Sequence, residues 1–366
     1  MPRRPPPAQP CRATASRVAG DPGIAHRPRR PGGARADRRL PRETLARRIP
    51  DAELALVVDA DAARAQAAGQ RLGVPASSNY RDALADPAID AVLIASPTPL
   101  HAEMVEAAAA SGKHIFCEKP LSLDPARADQ AIAAVRKAQV KLQVGFHRRF
   151  DPDFRFIKDR IDDGSLGEVR FFRATCRDMT PPSLEYLRAC GGIFADVTLH
   201  DFDVARWLVG EVEEVYAAGA ALSDSQIAEV AGDVDNAIVA LRFASGALGL
   251  IDNSRDSGYG YEASLEVMGS RSTLRIGPAA QRVTGVESLA AGARAWDIGT
   301  DFVARFADGY VGAVAAFVAA VASDSEPSPT GRDAVAAFAL ALAARESMET
   351  HRAVRLAAVT GTTVEA

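Results

Sequence analysis

The fold is decided by the stretch AVLIASPTPLHAEMVEAAAASGKHIFCEKP, which occupies residues 91–120 of the chain. Its first six residues, Ala91–Ser96, form an almost continuous apolar run, as in a parallel-sheet strand that is buried on both faces. The pattern that follows predicts a helix from His101 to Ser111 and a second strand from His114, which leads into the turn at Glu118-Lys119-Pro120. Strand, helix and strand in this order predict a right-handed βαβ unit.

The same alternation continues on both sides of this stretch. Further strands are predicted at Glu53–Asp59 and Lys141–Phe146. Further helices are predicted at Asp61–Gly73, from Tyr80, and from the N-cap pair Asp124-Pro125 to Ala138. Residues 43–147 are therefore predicted to form an α/β dinucleotide-binding domain with a Rossmann-type, doubly wound parallel sheet.

The pattern changes after Phe146, where strands follow one another without long helices between them. They are predicted at Val169–Arg177, Val212–Leu222, Asn236–Phe243, Ala247–Asn253, Tyr261–Met268 and Thr273–Ile276. Residues 148–300 are therefore predicted to be an α+β domain for substrate and oligomerisation, with a large, mainly antiparallel open sheet. Within residues 301–366, helices at Phe302–Ala322 and Arg332–Glu349 are predicted to pack on the body of the protein.

The composition limits the class of protein. The chain has 366 residues, of which 48% are hydrophobic and 25% charged, and it contains no apolar run of the roughly eighteen residues that a membrane span needs. The four cysteines have neither zinc-site spacing nor a dense disulfide pattern, which favours a cytoplasmic protein. The net charge of −4 and a chain that is acidic beyond residue 42 argue against nucleic acid as a partner.

Residues 1–42 differ from the rest because they are rich in Arg and Pro, with Asp21 and Asp37 as their only acidic residues. This composition opposes helix and strand, so the segment is predicted to be disordered or not native protein. A basic arm for an acidic surface and a targeting peptide are the alternatives, although no apolar stretch follows the arginines as in a secretory signal. A frame-shifted reading of GC-rich DNA would also give such a sequence.

Three groups of polar residues follow predicted parallel strands, where doubly wound sheets bind ligands. Asp59 is placed to accept hydrogen bonds from an adenosine ribose, although it could equally cap the following helix. Ser96-Pro97-Thr98-Pro99 could border a cofactor or merely stiffen a turn. Lys119 could point its ammonium group into the cleft, or form a solvated pair with Glu118.

A second candidate site lies in the stretch from Gly191 to Asp203. Asp196 and His200 are four residues apart, which on a helix places them on one face. A carboxylate beside an imidazole can orient a general base and stabilise its protonated form. The alternatives are a capped helix start and a metal site that also uses Asp201 and Asp203, but no second cluster of His or Cys supports a metal.

Four sequence blocks together resemble the glucose-fructose oxidoreductase/inositol dehydrogenase/rhizopine catabolism (Gfo/Idh/MocA) family. The blocks are Ser96-Pro97-Thr98-Pro99-Leu100-His101, Cys117-Glu118-Lys119-Pro120-Leu121, the stretch from Gly145 to Asp151, and the stretch from Gly191 to Asp201. The resemblance covers about residues 43–360. It implies an NAD-dependent oxidoreductase that takes hydride from a secondary alcohol of a cyclic polyol or sugar, with myo-inositol oxidised to 2-keto-myo-inositol as the main expectation. It also implies a homodimer or homotetramer.

The resemblance assigns roles to individual residues. It implies Lys119, Asp196 and His200 as catalytic residues, with His200 as the base, and His147, Arg148 and Tyr261 as substrate-binding residues. The residues expected to contact NAD are Asp59, Ser96, Thr98, His101, Glu118 and Lys119, and no metal is expected. A dehydrogenase of another sugar or sugar acid is one alternative, and a cofactor-deficient sugar-binding or assembly protein is another.

The sequence departs from the family at its start. Family members open with an apolar strand and a Gly-x-Gly-x-x-Gly turn, which seats the pyrophosphate on a helix N-terminus. That turn would fall near residues 29–36, which read RRPGGARA. The sequence therefore predicts a sheet without its first strand and an impaired affinity for the cofactor.

Overall fold

The computed structural model describes residues 11–17, 49, 51–277 and 302–356. Contacts divide them into two compact units, with one boundary between His147 and Arg148. The first unit contains the described residues up to His147 together with 307–334, and the second contains the rest. The predicted helix end at residues 44–48 and most of the predicted segment 1–42 lie outside the described residues.

The first unit contains a six-stranded parallel sheet, in the order β3-β2-β1-β4-β5-β6. This is the strand order of the dinucleotide-binding fold, so the predicted Rossmann-type sheet is confirmed. The strands are β1 Cys11–Arg17, β2 Ala52–Asp59, β3 Ala76–Ser77, β4 Ala91–Ile94, β5 His114–Cys117 and β6 Leu142–Val144.

The expectation that this sheet lacks its first strand is wrong in the structure. Cys11–Arg17 forms a strand between β2 and β4 and pairs in parallel with both. Parallel pairing is made by backbone groups, which small residues such as the Ala and Thr of this segment supply as well as large ones do. A search for an apolar run therefore misses this strand, although the sheet needs one at this position.

The first four helices of the first unit begin and end close to the predicted positions, whereas the helix predicted at Phe302–Ala322 is divided into Phe302–Arg305 in the second unit and Ala307–Ser323 in the first. The helices of this unit are α1 Ala62–Leu72, α2 Tyr80–Ala85, α3 His101–Ala110, α4 Pro125–Ala138 and, from the later part of the chain, α11 Ala307–Ser323. As predicted, Asp124 caps α4 by accepting a hydrogen bond from the backbone N–H of Ala126, and Pro125 begins the helix. All four residues of β4 are buried, as its continuous apolar sequence requires.

The second unit contains a seven-stranded sheet in the order β12-β11-β7-β10-β9-β8-β13. Its strands are β7 Val169–Arg177, β8 Val212–Ala220, β9 Asn236–Phe243, β10 Leu248–Ser254, β11 Glu262–Gly269, β12 Thr273–Ile276 and β13 Val354–Arg355. The pairing is antiparallel except between β7 and β10, so the sheet is mixed but mainly antiparallel, as predicted.

Alternating burial along these strands gives the sheet one buried face and one open face. In β9, for example, Val239 and Leu241 are buried while Ile238 is exposed. The helices are α5 Pro152–Asp162, α6 Leu184–Ala189, α7 Ile193–Asp196, α8 Thr198–Val209, α9 Ser225–Ala231, α10 Phe302–Arg305 and α12 Gly331–Thr350, whose first residues belong to the first unit. Among the described residues, none of these helices or those of the first unit is long and apolar enough to cross a bilayer.

Candidate active site

The carboxyl ends of the parallel strands in the first unit are aligned by register. Arg17 of β1 pairs with Asp59 at the end of β2, and Ile94 at the end of β4 pairs with Cys117 at the end of β5. Cys117 also pairs with Val144 at the end of β6. The residues that follow these strand ends, including the predicted Ser96, Glu118 and Lys119, are therefore brought to one edge of the sheet.

Asp59 is fully buried at this edge, and it is not the helix cap. The cap of α1 is Asp61, whose carboxylate accepts hydrogen bonds from the backbone N–H groups of Ala63 at 2.9 Å and Arg64 at 3.1 Å. Asp59 instead accepts a hydrogen bond from the N–H of Asp61 and lies 3.4 Å from Nε of Arg64. The alternative in which Asp59 caps the helix is therefore wrong, and its contact with an adenosine ribose stays a prediction.

His101 joins two loops at the same edge. Its Nδ1 lies 2.7 Å from the carbonyl oxygen of Pro120 and its Nε2 lies 2.8 Å from the carbonyl oxygen of Ser96. The imidazole is buried, and both ring nitrogens contact the backbone. His101 therefore ties the loop after β4, which contains the short helix Thr98–Leu100, to the turn after β5. Direct contact of His101 or Thr98 with NAD stays a prediction.

Glu118 packs against the backbone of the next strand end. A Cβ atom on Gly145 would lie 2.8 Å from Oε2 of Glu118, so only glycine leaves room for this carboxylate. The N–H of Gly145 donates to the carbonyl oxygen of Cys117 at 2.8 Å, and the N–H of Glu118 donates to that of Ile94 at 2.9 Å. Lys119 follows, half-buried, at the aligned edge. The space beside Gly145 is thus filled by Glu118, and the carboxylates of Glu118 and Asp59 are acceptors of the kind that the ribose hydroxyls of a dinucleotide need.

His147, a predicted substrate residue, ends the first unit. Its ring is stacked on that of Tyr310, with centroids 4.1 Å apart and an angle of 16° between the planes. The side chain is buried, and its backbone N–H donates to the carbonyl oxygen of Gly145 at 3.0 Å. The stacking fixes the plane of the imidazole, so His147 is held at the aligned edge in one orientation.

Asp196 and His200, the predicted catalytic pair of the second unit, lie on two successive helical segments. Asp196 ends α7 and His200 lies in the first turn of α8, with Val197 as a helical junction between them. The single helix predicted here is thus divided, but Val197 keeps helical dihedral angles of −86° and −60°. Both carboxylate oxygens of Asp196 have partners: Tyr186 donates to Oδ1 at 2.9 Å and Nη1 of Arg255 to Oδ2 at 3.0 Å.

Arg255 is a residue of this site that sequence reasoning missed. Its side chain is only 1% exposed, and its Nη2 lies 3.6 Å from Oδ2 of Asp233. Burial alone would lower the pKa of Arg255, but the neighbouring Asp196 raises it above its usual value. The position directly after an apolar strand, in the sequence Asn253-Ser254-Arg255, is the only signal that could have identified it.

The two predicted substrate residues of this unit, Arg148 and Tyr261, are held by neighbours. Arg148 forms a buried ion pair with Asp201, and its Nη2 lies 3.1 Å from Sγ of Cys176. The hydroxyl of Tyr261 lies 3.6 Å from the same sulfur. Burial raises the pKa of Asp201, although the charge of Arg148 acts to lower it. Burial also raises the pKa of Tyr261. The structure therefore brings Arg148 and Tyr261 together around Cys176, and substrate contact by either stays a prediction.

A second buried ion pair, similar to that of Arg148 and Asp201, joins Arg149 to Asp203. Arg149 binds Asp203 through two hydrogen bonds, of 2.9 Å from Nε and 2.6 Å from Nη2, and both side chains are buried. Asp201 and Asp203, considered above as metal ligands, are thus partners of adjacent arginines. Among the described residues no group of three or more His, Cys, Asp or Glu side chains is arranged to hold a metal ion.

Comparison with known protein families agrees with both units. Residues 34–146 match the model described as "Oxidoreductase family, NAD-binding Rossmann fold" and residues 158–356 match the "Oxidoreductase family, C-terminal alpha/beta domain", the two parts of the Gfo/Idh/MocA family. The chain belongs to this family.

Several individual members of this family are similar to the chain over most of its length. The chain is 42% identical to the myo-inositol 2-dehydrogenase of Thermotoga maritima, over 86% of this chain and 94% of that protein. It is 36% identical to the scyllo-inositol 2-dehydrogenase (NAD(+)) of Bacillus subtilis, over 86% and 92% of the two chains. A crystal structure of a putative myo-inositol dehydrogenase from Sinorhizobium meliloti superposes with a TM-score of 0.82 at 35% identity, covering 95% of this chain and 100% of that one. The expected family is therefore confirmed.

Proposed function

We propose that this protein is an NAD-dependent dehydrogenase that oxidises a secondary hydroxyl group of inositol to a ketone, with myo-inositol giving 2-keto-myo-inositol. The observation that carries the proposal is the similarity, over most of the chain, to relatives named as inositol dehydrogenases. The fold agrees with it, because the parallel sheet of the first unit has the strand order and the polar carboxyl edge of dinucleotide-binding enzymes.

The first unit would hold the cofactor. The buried carboxylate of Asp59 would accept hydrogen bonds from the adenosine ribose and would repel a 2′-phosphate, which favours NAD over NADP. Ser96, Thr98 and Glu118 would border the cofactor at the aligned strand ends, and NAD when bound supplies the acceptor for the carbinol hydride. The ammonium group of Lys119 would bind the reacting hydroxyl and stabilise its oxygen as the proton leaves.

His200 would accept the hydroxyl proton. Its place in the first turn of α8 fixes its backbone, and a neutral imidazole is the side chain best suited to accept a proton near neutral pH. Asp196 would stabilise the imidazolium that forms, and Tyr186 and Arg255 orient its carboxylate by donating a hydrogen bond to each of its oxygens. The hydroxyl proton would pass to His200 and the hydride of the carbinol carbon would pass to the bound NAD, which leaves a ketone.

The test is NADH formation by the purified chain with NAD and a panel of myo-inositol, scyllo-inositol and glucose. We expect activity with an inositol, a loss of about two to four orders of magnitude in kcat for Lys119→Met and His200→Asn, and near-normal activity for the exposed controls Lys137→Met and His351→Asn. Activity with glucose alone would indicate a dehydrogenase of another sugar and would contradict the inositol assignment.

One observation favours a second candidate, a relative that binds a polyol without using NAD. The sequence contains no Gly-x-Gly-x-x-Gly turn. A calorimetric titration with NADH separates the two functions. Micromolar binding supports the dehydrogenase, whereas an absence of binding by folded protein, together with binding of an inositol, supports the second candidate.

We also propose that the open face of the seven-stranded sheet binds a second copy of the chain, giving a homodimer or, by a further contact, a homotetramer. Paired residues across the sheet share this face. One row runs through Met268, Phe171, Leu248, Arg242 and Glu214, and the next contains Tyr216. Met268, Leu248, Tyr216 and the nearby Ile238 are between 39% and 53% exposed, which is costly for large apolar side chains in water.

Light scattering with size-exclusion chromatography tests this surface. We expect a dimer or tetramer for the wild type and a shift to monomer for Ile238→Glu, because an unpaired charge would be buried at the contact. Phe156→Glu on α5, at a side chain that is 52% exposed elsewhere in the unit, is the control and should leave the oligomer intact. A monomeric wild type would overturn the proposal. The cytoplasmic location inferred from the cysteines stays a prediction.

A further inference from the structure

A cluster of charged and polar side chains surrounds the carboxylate of Asp196, with Arg255 buried and Tyr186 exposed. Its members come from four separate segments: Tyr186 from α6, Asp233 from the turn before β9, Arg255 from the end of β10, and Asp196 itself from α7. The proposed reaction uses only Asp196 directly, so the other three require a separate explanation.

Arg255 is the centre of this cluster. It is among the largest side chains that are almost completely buried, and its guanidinium group reaches two acids, Asp196 at 3.0 Å and Asp233 at 3.6 Å. Its backbone N–H donates to the carbonyl oxygen of Asp235 at 2.8 Å, which fixes the start of the side chain as well. Burying a guanidinium group is costly, and the cost is met only where acids are held close to it.

Asp233 connects the cluster to the helix that carries Asp196. Its Oδ1 accepts a hydrogen bond from the backbone N–H of Ile193, the first residue of α7, at 3.0 Å. The preceding Gly192 has a φ of +89°, and a Cβ atom there would lie 3.0 Å from Oδ1 of Asp233. Gly192 therefore leaves room for Asp233. Asp233 contacts both the start of the helix and the guanidinium group of Arg255.

Asp196 is consequently held on both sides. Oδ2 receives Arg255, and Oδ1 receives the hydroxyl of Tyr186 at 2.9 Å. Burial, followed by the charge of Asp196, raises the pKa of Tyr186, so its hydroxyl remains a donor throughout the neutral range. Both partners donate to the carboxylate. The guanidinium group has no atom that could accept a hydrogen bond from a protonated Asp196, and the Tyr186 hydroxyl could accept one only by giving up its own donation.

We infer that Arg255 is a positioning residue that fixes Asp196 as an oriented carboxylate, with Asp233 and Tyr186 holding the two ends of this arrangement, so that Asp196 can act on His200. The inference rests on the proposed function for its catalytic consequence. It assigns Arg255 no contact with substrate or cofactor.

The sign of the expected effect follows from the titratable and charged groups of this cluster, which are Arg255, Asp233, Cys190 and Tyr186. Without the guanidinium group, Asp196 would lie near Asp233 with no cation between them, and it would take up a proton at a higher pH. Any Asp196 that stayed ionised would hold the imidazolium form of His200 more strongly. Both effects move the low-pH limb of kcat/KM to higher pH.

The experiment compares Arg255→Gln, Arg255→Lys, Asp233→Asn and Tyr186→Phe, with the exposed Arg275→Gln as a control for the chemical change. The first readout is the pH dependence of kcat/KM for inositol. The second is a titration of the Asp196 carboxyl carbon by NMR, assigned with Asp196→Asn, which requires neither cofactor nor activity.

For Arg255→Gln we expect kcat to fall about tenfold or more and the low-pH limb and the Asp196 titration to rise by about one pH unit. Arg255→Lys should show little of this shift, because lysine keeps the positive charge at this position. Asp233→Asn should move both readouts to lower pH, since Arg255 then serves Asp196 alone, and Tyr186→Phe should raise them slightly.

A general loss of stability would lower the activity of all the variants, but it would not shift the low-pH limb of kcat/KM up in Arg255→Gln and down in Asp233→Asn. The inference is overturned if the Asp196 titration in Arg255→Gln, or in Tyr186→Phe should the first variant not fold, coincides with that of the wild type. If the wild type forms no NADH with any inositol, the proposed function fails, and the NMR titration still decides the role of Arg255.

Discussion

His101 Nδ1 lies 2.7 Å from the carbonyl oxygen of Pro120, directly after the turn that contains Lys119. The other ring nitrogen lies 2.8 Å from a carbonyl oxygen of the preceding loop. A carbonyl oxygen only accepts hydrogen bonds, so each nitrogen must carry a hydrogen for both contacts to be bonds. At least one of the two contacts is therefore a hydrogen bond that the ring donates, whichever nitrogen carries the hydrogen.

Replacing this histidine should loosen both loops. For His101→Phe we expect a loss of about 1–3 kcal/mol of unfolding free energy, because a buried carbonyl group loses its donor, together with a higher KM for NAD. Chemical denaturation and steady-state kinetics measure the two effects. An unchanged KM for NAD, with the stability loss present, would limit His101 to a role in folding.

Adding a methyl group at Gly145 should disturb Glu118. In Gly145→Ala the new Cβ atom would lie 2.8 Å from the Glu118 carboxylate, which must then move from the strand edge. We expect the fold to remain and the affinity for NAD to fall, as measured by NADH titration. Gly277→Ala is a matched control, because a Cβ atom there would have no atom within 4 Å and the φ of Gly277 is not positive.

Replacing Arg149 alone should lower the unfolding free energy more than replacing both Arg149 and Asp203. Both side chains are buried, so Arg149→Met removes the cation that pairs with a buried carboxylate and should lower the unfolding free energy by about 3–5 kcal/mol. The double variant Arg149→Met/Asp203→Leu should recover much of that loss. Denaturant unfolding of both variants measures the difference, and equal stability of the single and double variants would contradict this account.

The protein should lose stability at alkaline pH. Burial raises the pKa of Cys176 from 9.0 to about 12, and burial followed by the Glu262 hydrogen bond raises that of Tyr259 from 10.0 to about 12. A group with a raised pKa in the folded state contributes stability below its unfolded pKa and loses it as the pH rises through the folded value. We expect the unfolding free energy to fall from about pH 9 to about pH 12, and to fall less in Cys176→Ala.

Much of the fold was predictable because local sequence and local structure agree. The apolar run at Ala91 and the N-cap pair Asp124-Pro125 each act within a few residues, and both form the predicted elements. Strand β1 was missed because its place depends on neighbours at both sides and not on its own hydrophobicity. Sequence motifs identified the candidate site residues but did not identify the side chains that bind them in the folded protein.

The partners escaped prediction because they are distant in sequence. Arg255 is 59 residues from Asp196 and Asp203 is 54 residues from Arg149, so no local pattern indicates either pair. The alternative of a capping role for Asp59 was decided only by the backbone, which gives that role to Asp61. Burial and pairing of charges are properties of the folded chain, and a single sequence records them only as isolated charged residues.

The bond between Arg255 and Asp196 also has an evolutionary consequence. Active-site residues are commonly held at a cost in stability, so their loss tends to make a protein more robust. Here the opposite is expected, since a lineage that replaced Asp196 would leave the buried cation with Asp233, the more distant of these two acids. A descendant that lacks Asp196 would therefore have lost the arginine first or passed through a less stable ancestor.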